Sequence, residues 1–270
     1  MAAKKVLFIT TEISPYLVET EMSIIARNLP QGIHERGKEI RTFMPKFGII
    51  NERRNQLHEV IRLSGMNLII NDTDHPLIIK VASIQAARMQ IYFIDNEDFF
   101  QRKHLLHDTK GNEFEDNDER SIFYVRGVME TVKKLRWVPD LIHCHGWMTA
   151  LAPLYIKKHY KGDPCFKHSK IVYSIYNDDF KAPFNDDFAK KLKIEGITQN
   201  DLKVIKEKSD FESLSKLAID FSDGVIQGSP SIHPGVKEYV QKKEGTRFLD
   251  YQPEETYIDA FNDFYDQILA

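Results

Sequence analysis

The feature that most constrains this chain is a set of short, unbroken apolar runs. Each is ended by polar residues and followed by a segment with helical spacing. The first is Lys5-Val-Leu-Phe-Ile-Thr10. A continuous apolar run of this length suits a strand covered on both faces, as in a parallel sheet. Thr11, Glu12, Ser14 and Pro15 break it, and Met22, Ile25, Leu29 and Ile33 then recur at helical spacing before Gly37, a natural stop. Glu39–Met44 is the next strand, so this is a β-α-β unit whose crossover should be right-handed. Pro30 is expected to interrupt and kink the helix.

The pattern repeats. Gln90–Ile94, the run around Leu141 and Ile142, Lys170–Tyr176 and Gly224–Ile226 read as further strands. Ile122, Val125, Met129, Val132 and Leu135 mark a long amphipathic helix, and Met148–Lys158 is a second helical segment. Phe211, Leu214, Leu217, Ala218 and Phe221 share another helical face. Ser229-Pro230 is expected to open the next helix, and Ile258, Phe261, Phe264, Tyr265 and Ile268 to line a terminal one. Polar residues dominate 96–118, and the charged stretch 180–208 reads as loops with short helices. Between Glu59 and Asp95, the runs Val60–Leu63, Asn67–Ile70 and Leu77–Ser83 lie between turn signals at Gly65 and at 72–76. They predict an antiparallel excursion. The expected fold is therefore α/β: a doubly wound, mostly parallel Rossmann-like sheet with an antiparallel β excursion. Residues 1–245 form that domain, and 246–270 add a C-terminal segment and helix that dock on it.

Composition narrows the function. A formal net charge of −3 argues against nucleic acid, which needs a basic footprint. No apolar run approaches the roughly 20 residues of a membrane helix. Two cysteines, Cys144 and Cys165, lack metal-motif spacing and suit a reducing compartment. With no apolar leader after Met1, a cytoplasmic protein is expected.

Ligands of open α/β sheets bind beyond the carboxyl ends of the strands. His143-Cys-His145-Gly146-Trp147 ends one strand there and is the first candidate site. Two histidines at i, i+2 share a face. They can be a structural pair or ligand contacts, His145 being nearest the strand end. A metal site would need further ligands, which nothing nearby supplies at recognisable spacing. Gly32 to Gly37-Lys38 is no P-loop, because Glu39 replaces the magnesium-binding hydroxyl and a strand follows instead of a helix. The loop 11–21 has no glycine to bring backbone amides against a phosphate. Asp178 and Asp179 could act as acid or base, although loop carboxylates are usually solvated. The acidic run 113–119 suits the start of a helix.

Several segments, in order, resemble the N-terminal catalytic domain of bacterial glycogen (starch) synthases. These are glycosyltransferases of the GT-B type, with two Rossmann-like domains. The segments are Lys5–Pro15, Asn28-Leu-Pro30, His34-Glu-Arg-Gly37, Met44-Pro-Lys-Phe47, Tyr92–Asn96, Asp116-Asn-Asp-Glu-Arg120, His143–Trp147 with Thr149, Leu151 and Pro153, Val172–Asn177, and Lys216–Ser229. The resemblance covers about two-thirds of the chain. It implies an α-glucan acceptor, a nucleotide sugar (ADP-glucose) as donor, and no cofactor. It also implies ligand contacts at Glu12, Asn117, Arg120, His145, Trp147, Tyr176 and Asn177, with no residue assigned a catalytic role.

The departures matter equally. The family's Lys-x-Gly-Gly-Leu donor loop is replaced by Val18-Glu19-Thr20-Glu21-Met22, which loses the cation and both glycines and adds negative charge. The family's Asp after the second histidine is Gly146, and its Ile-His-Asn is Ile175-Tyr176-Asn177. The family's second, donor-binding domain is not matched. The readings that follow are a glucosyltransferase of this type, moving glucose from ADP-glucose to an α-1,4-glucan but expected to be inactive alone; a silent relative that binds a glucan or partner protein; a transferase half completed by a second chain that supplies the donor site; or an unrelated small-molecule enzyme.

Overall fold

The computed structural model describes residues 3–270. Its strands are β1 (Lys5–Ile9), β2 (Glu39–Pro45), β3 (His58–Glu59), β4 (Met66–Ile70), β5 (Thr73–Ile84), β6 (Met89–Asp95), β7 (Leu141–His145), β8 (Lys170–Ile175), β9 (Gly224–Gln227) and β10 (Arg247–Leu249). Its helices are α1 (Glu21–Glu35), α2 (Glu97–Phe100), α3 (Asn117–Lys134), α4 (Ala152–Lys157), α5 (Phe188–Lys191), α6 (Phe211–Asp220), α7 (Pro234–Lys242) and α8 (Tyr257–Leu269).

The sheet runs β10-β9-β8-β7-β1-β2-β6-β5-β3, with β4 pairing β5. From β10 to β6 every pairing is parallel. β5 runs antiparallel to β6, and β3 and β4 run antiparallel to β5. This is the mostly parallel α/β sheet with an antiparallel excursion. The strand order reverses between β1 and β7, the switch point at which such sheets open a crevice.

β1 shows why the apolar runs are unbroken. Leu7 and Ile9 belong to the core on the α3 side. Val6 and Phe8 pack on the other face with Leu29, Ile33, Phe261, Phe264 and Tyr265 from α1 and α8. The amphipathic stripe of α8 is thus buried on the sheet. Gly224 lets it approach: a Cβ there would lie 2.8 Å from Ile268 and 2.9 Å from Phe264. No helix among the described residues is long and apolar enough to cross a membrane.

Several local expectations are corrected. α1 runs through Pro30 without interruption. One missing N–H is outweighed by burial of Leu29, Pro30 and Ile33. Val60–Leu63 is a turn, closed by the Leu63 amide donating to the Val60 carbonyl at 2.8 Å. Ladder pairing in that region falls instead on His58 and Glu59. β5 already begins at Thr73, because the hairpin turn needs only Asn71 and Asp72, at φ 49° and 62°. Ser229-Pro230 does not open a helix. Gln227 Nε2 takes the carbonyls of both residues, at 2.9 and 3.0 Å, and α7 starts at Pro234. The three-residue β10 was not foreseen.

Candidate functional site

A cleft of about 250 Å³ lies beyond the carboxyl ends of β1, β7 and β8. Glu12 comes from the loop after β1, Trp147 from the turn after β7, and Asn177, Asp178 and Asp179 from the loop after β8; Asn117 stands at the start of α3. Four sequence candidates, Glu12, Asn117, Trp147 and Asn177, thus meet on one surface, and the aspartates join them.

The turn after β7 is built around Gly146, which sits at φ 75° and ψ 174°. There is no room for a side chain at this position. A Cβ would come within 2.5 Å of both Asp178 Oδ2 and the Met22 methyl. That carboxylate accepts the Trp147 amide at 3.0 Å. The indole packs edge-on against Phe180 at 5.1 Å and beside Phe184 at 5.8 Å, and those two rings stack at 4.5 Å. This aromatic wall is pinned from across the cleft, where Glu113 accepts the amides of Lys181 and Ala182 at 2.7 and 3.0 Å.

The cleft is acidic. Glu12, Glu113, Asp178 and Asp179 line it, and among the described residues His107 is the only basic side chain that does. Burial raises the pKa of Glu12, opposed by a hydrogen bond from Thr20 Oγ1. Burial pushes Asp178 up to about 7, opposed by the Trp147 amide and reinforced by Asp179 and Glu12. Among the described residues no cluster of three or more histidine, cysteine or carboxylate side chains is placed to hold a metal.

His145, Tyr176 and Arg120 lie behind this surface. His143 and His145 are 0% and 1% exposed, with ring centroids 3.9 Å apart. His143 Nδ1 lies 2.6 Å from the Tyr265 hydroxyl and its Nε2 2.7 Å from Ser174 Oγ. His145 Nδ1 lies 2.8 Å from the Tyr176 hydroxyl. Burial lowers the pKa of both imidazoles, that of His145 to about 3, so both are neutral near pH 7. Arg120 is fully buried. It donates to the Phe99 carbonyl and to Asn117 Oδ1 at 2.8 and 2.7 Å, with its guanidinium near the rings of Phe47, Phe100 and Phe114. Burial lowers its pKa to about 10. It fixes the orientation of Asn117.

The loop that departs from the glycosyltransferase pattern is a closed helix start. Thr20 Oγ1 accepts the Ser23 amide at 3.1 Å and Ser23 Oγ accepts the Thr20 amide at 2.8 Å, a complete capping box. A helix N-terminus attracts phosphate through unsatisfied amides and the positive end of the dipole. Here one inner amide is already taken, and Glu12, Glu19 and Glu21 surround the turn. Glu21 accepts a hydrogen bond from the Ser229 hydroxyl, which itself accepts the Asn177 amide at 3.1 Å. The start of α1 is thereby tied to the loop after β9. Glu19 is exposed, and Val18, where the resemblance places a cation, is 73% exposed.

The profile of the family described as "Starch synthase catalytic domain" matches residues 5–249. A glycogen synthase of Chlorobaculum parvum is 34% identical over 229 residues, covering 84% of this chain and 46% of its own length. One from Chlorobium luteolum is 38% identical over 174 residues, covering 64% of this chain and 36% of its own. The chain thus spans between about a third and a half of the curated relatives it matches. The solved catalytic domain of Starch Synthase IV from Arabidopsis thaliana, bound to ADP and acarbose, superposes with a TM-score of 0.74 at 17% identity. That match covers 94% of this chain and 53% of that one, and it speaks for the fold alone. By the extent of the family match, borne by the ordered motifs and the sheet they build, this chain belongs to the starch synthase catalytic domain family.

Proposed function

We propose that these 270 residues form the acceptor-side half of a glycogen/starch synthase-like glycosyltransferase, and that the half binds an α-glucan without transferring glucose by itself. The observation that carries this reading is the lining of the cleft. Carboxylates accept from sugar hydroxyls and asparagines both accept and donate, and the largely buried Trp147 and Phe180 rings give the cleft an apolar border. The same lining opposes a diphosphate, which would meet four carboxylates and a capped helix start with no lysine or arginine in the cleft. ADP-glucose is therefore a poor ligand for this half. Neither a cofactor nor nucleic acid has a part in this reading. Both cysteines are free and buried, which suits a reducing cytoplasm.

Isothermal titration with maltoheptaose tests the reading. The chain should bind it, and Trp147→Phe, which keeps an aromatic ring but loses the indole, should weaken binding by about tenfold, on the scale of a central aromatic contact. Unaltered affinity in a folded variant would refute the assignment. A transfer assay with ADP-glucose and UDP-glucose on a glycogen primer should give no turnover. Turnover by the chain alone, abolished by His145→Ala, would overturn the silent-half reading.

A second reading is a transferase half completed by a partner chain that carries the donor site. It is favoured by the acidic lining, which holds no lysine or arginine among the described residues and so leaves a nucleotide-sugar donor to be held elsewhere. Transfer activity that appears only when a donor-binding half is added would establish it.

A further inference from the structure

We propose that Asp178 is the positioning residue of this cleft, setting the Gly146–Trp147 turn and with it the aromatic wall through its carboxyl group. The assignment to a glucan cleft rests on the reading above; the positioning role does not. Oδ2 holds the Trp147 amide at 3.0 Å. It also fills the space beside Gly146, where a Cβ would stand 2.5 Å away. The turn therefore has one rigid neighbour on this side, and that neighbour is the carboxyl. The other oxygen, Oδ1, is buried and has no hydrogen-bond partner.

A carboxylate with one satisfied oxygen and one orphaned one is poorly placed to carry a charge. The groups facing it deepen that difficulty. Glu12 approaches from the loop after β1 and Asp179 is its chain neighbour. Tyr173 lies on β8 and Tyr176 directly after it, Met22 of α1 is apolar, and Glu113 and His107 stand across the cleft. Among the described residues that line the cleft only His107 is basic, and it lies 3.8 Å from Glu113. Asp178 therefore holds the turn as the neutral acid. Burial and the repulsion of Asp179 and Glu12 outweigh the Trp147 amide, which favours the ionised form, so on ionisation near pH 7 the carboxylate turns toward water and gives up that one hydrogen bond. The cleft is then formed on the acid side of neutrality and loosened on the alkaline side.

The first test needs no ligand. The backbone amide resonance of Trp147, followed by NMR from pH 5.5 to 8.5, should shift with a midpoint near neutrality. In Asp178→Asn, which keeps the amide acceptor and cannot ionise, it should stay constant. The second test is maltoheptaose affinity over the same range. Wild type should lose about tenfold between pH 6 and 8.5, since one linked proton weakens binding by at most tenfold per pH unit. Asp178→Asn should be flat, and Asp178→Ala weak throughout. A Trp147 amide that does not titrate, or titrates equally in Asp178→Asn, overturns the proposal. So does glucan binding by Asp178→Ala that equals wild type. If the amide titrates as expected while no glucan binds at any pH, the positioning role stands and the glucan reading fails.

Discussion

Replacing Gly146 by alanine is expected to cost about 4 kcal/mol of stability. Two separable terms make up the loss. The backbone at φ 75°, ψ 174° lies in a region open essentially to glycine alone, and a side chain there costs about 1–3 kcal/mol. The added Cβ also runs into Asp178 Oδ2 and the Met22 methyl, both at 2.5 Å, and overpacking of this kind costs about 1–3 kcal/mol more. Against a total stability of about 5–15 kcal/mol this is a large fraction. Asp178→Ala removes the more rigid obstacle and leaves a flexible methionine end, so Gly146→Ala should cost only about 2 kcal/mol in that background. Urea unfolding of the four proteins measures the coupling between the two positions. Strict additivity would show that the carboxyl does not fill the turn, and a total loss under 1 kcal/mol would show that the backbone is not strained. Gly146→Asp should be worse than alanine, because it sets a second carboxylate against the first.

That local geometry explains a departure which the bare sequence left open. The resemblance places an aspartate after the second histidine, and this chain has Gly146. Only the structure shows that Asp178, one strand over, already occupies the space. Contacts between neighbouring strands of a parallel sheet join residues some 30 positions apart, and nothing local in the chain announces them. The larger frame was legible because burial on both faces writes itself into sequence as unbroken apolar runs: β1, β2, β6, β7 and β8 were all visible that way. β10 and the short pairing at His58–Glu59 were not, because two or three half-exposed residues have no pattern to read. The sequence places His145 nearest the strand end. Its side chain lies on the sheet face shared with His143, whose ring meets Tyr265 of α8, while the cleft opens beside Trp147. Alternation along a strand sets which face a residue takes, but which face carries a helix is settled only when α8 docks.

The buried histidine pair should govern the acid end of stability. His143 and His145 are neutral in the fold because burial lowers their pKa values, His145 to about 3. In the unfolded chain both titrate near the ordinary value of about 6.5. Their folded pKa values are depressed, so unfolding takes up protons below pH 6.5. Stability from this pair is present above 6.5 and lost as pH falls toward 3. Asp178 has the opposite sign. Its folded pKa is raised to about 7, so its favourable contribution is present at acid pH and lost as pH rises through 7. Near pH 5 the two histidines each bind about one more proton in the unfolded state, and Asp178 binds about one fewer. From these three groups a net of about one proton remains, a slope of about 1.4 kcal/mol of stability per pH unit, rising with pH. Asp178→Asn should steepen that slope to about 2.7 kcal/mol per unit, and His145→Asn, which can still meet the Tyr176 hydroxyl, should flatten it to near zero. All other carboxylates are common to the three proteins and cancel in the comparison. Denaturant unfolding at intervals between pH 4.5 and 6 measures the slopes. An unchanged slope in His145→Asn would mean that the imidazole is protonated inside the fold, and the neutral, hydrogen-bonded pair beneath the cleft would have to be abandoned.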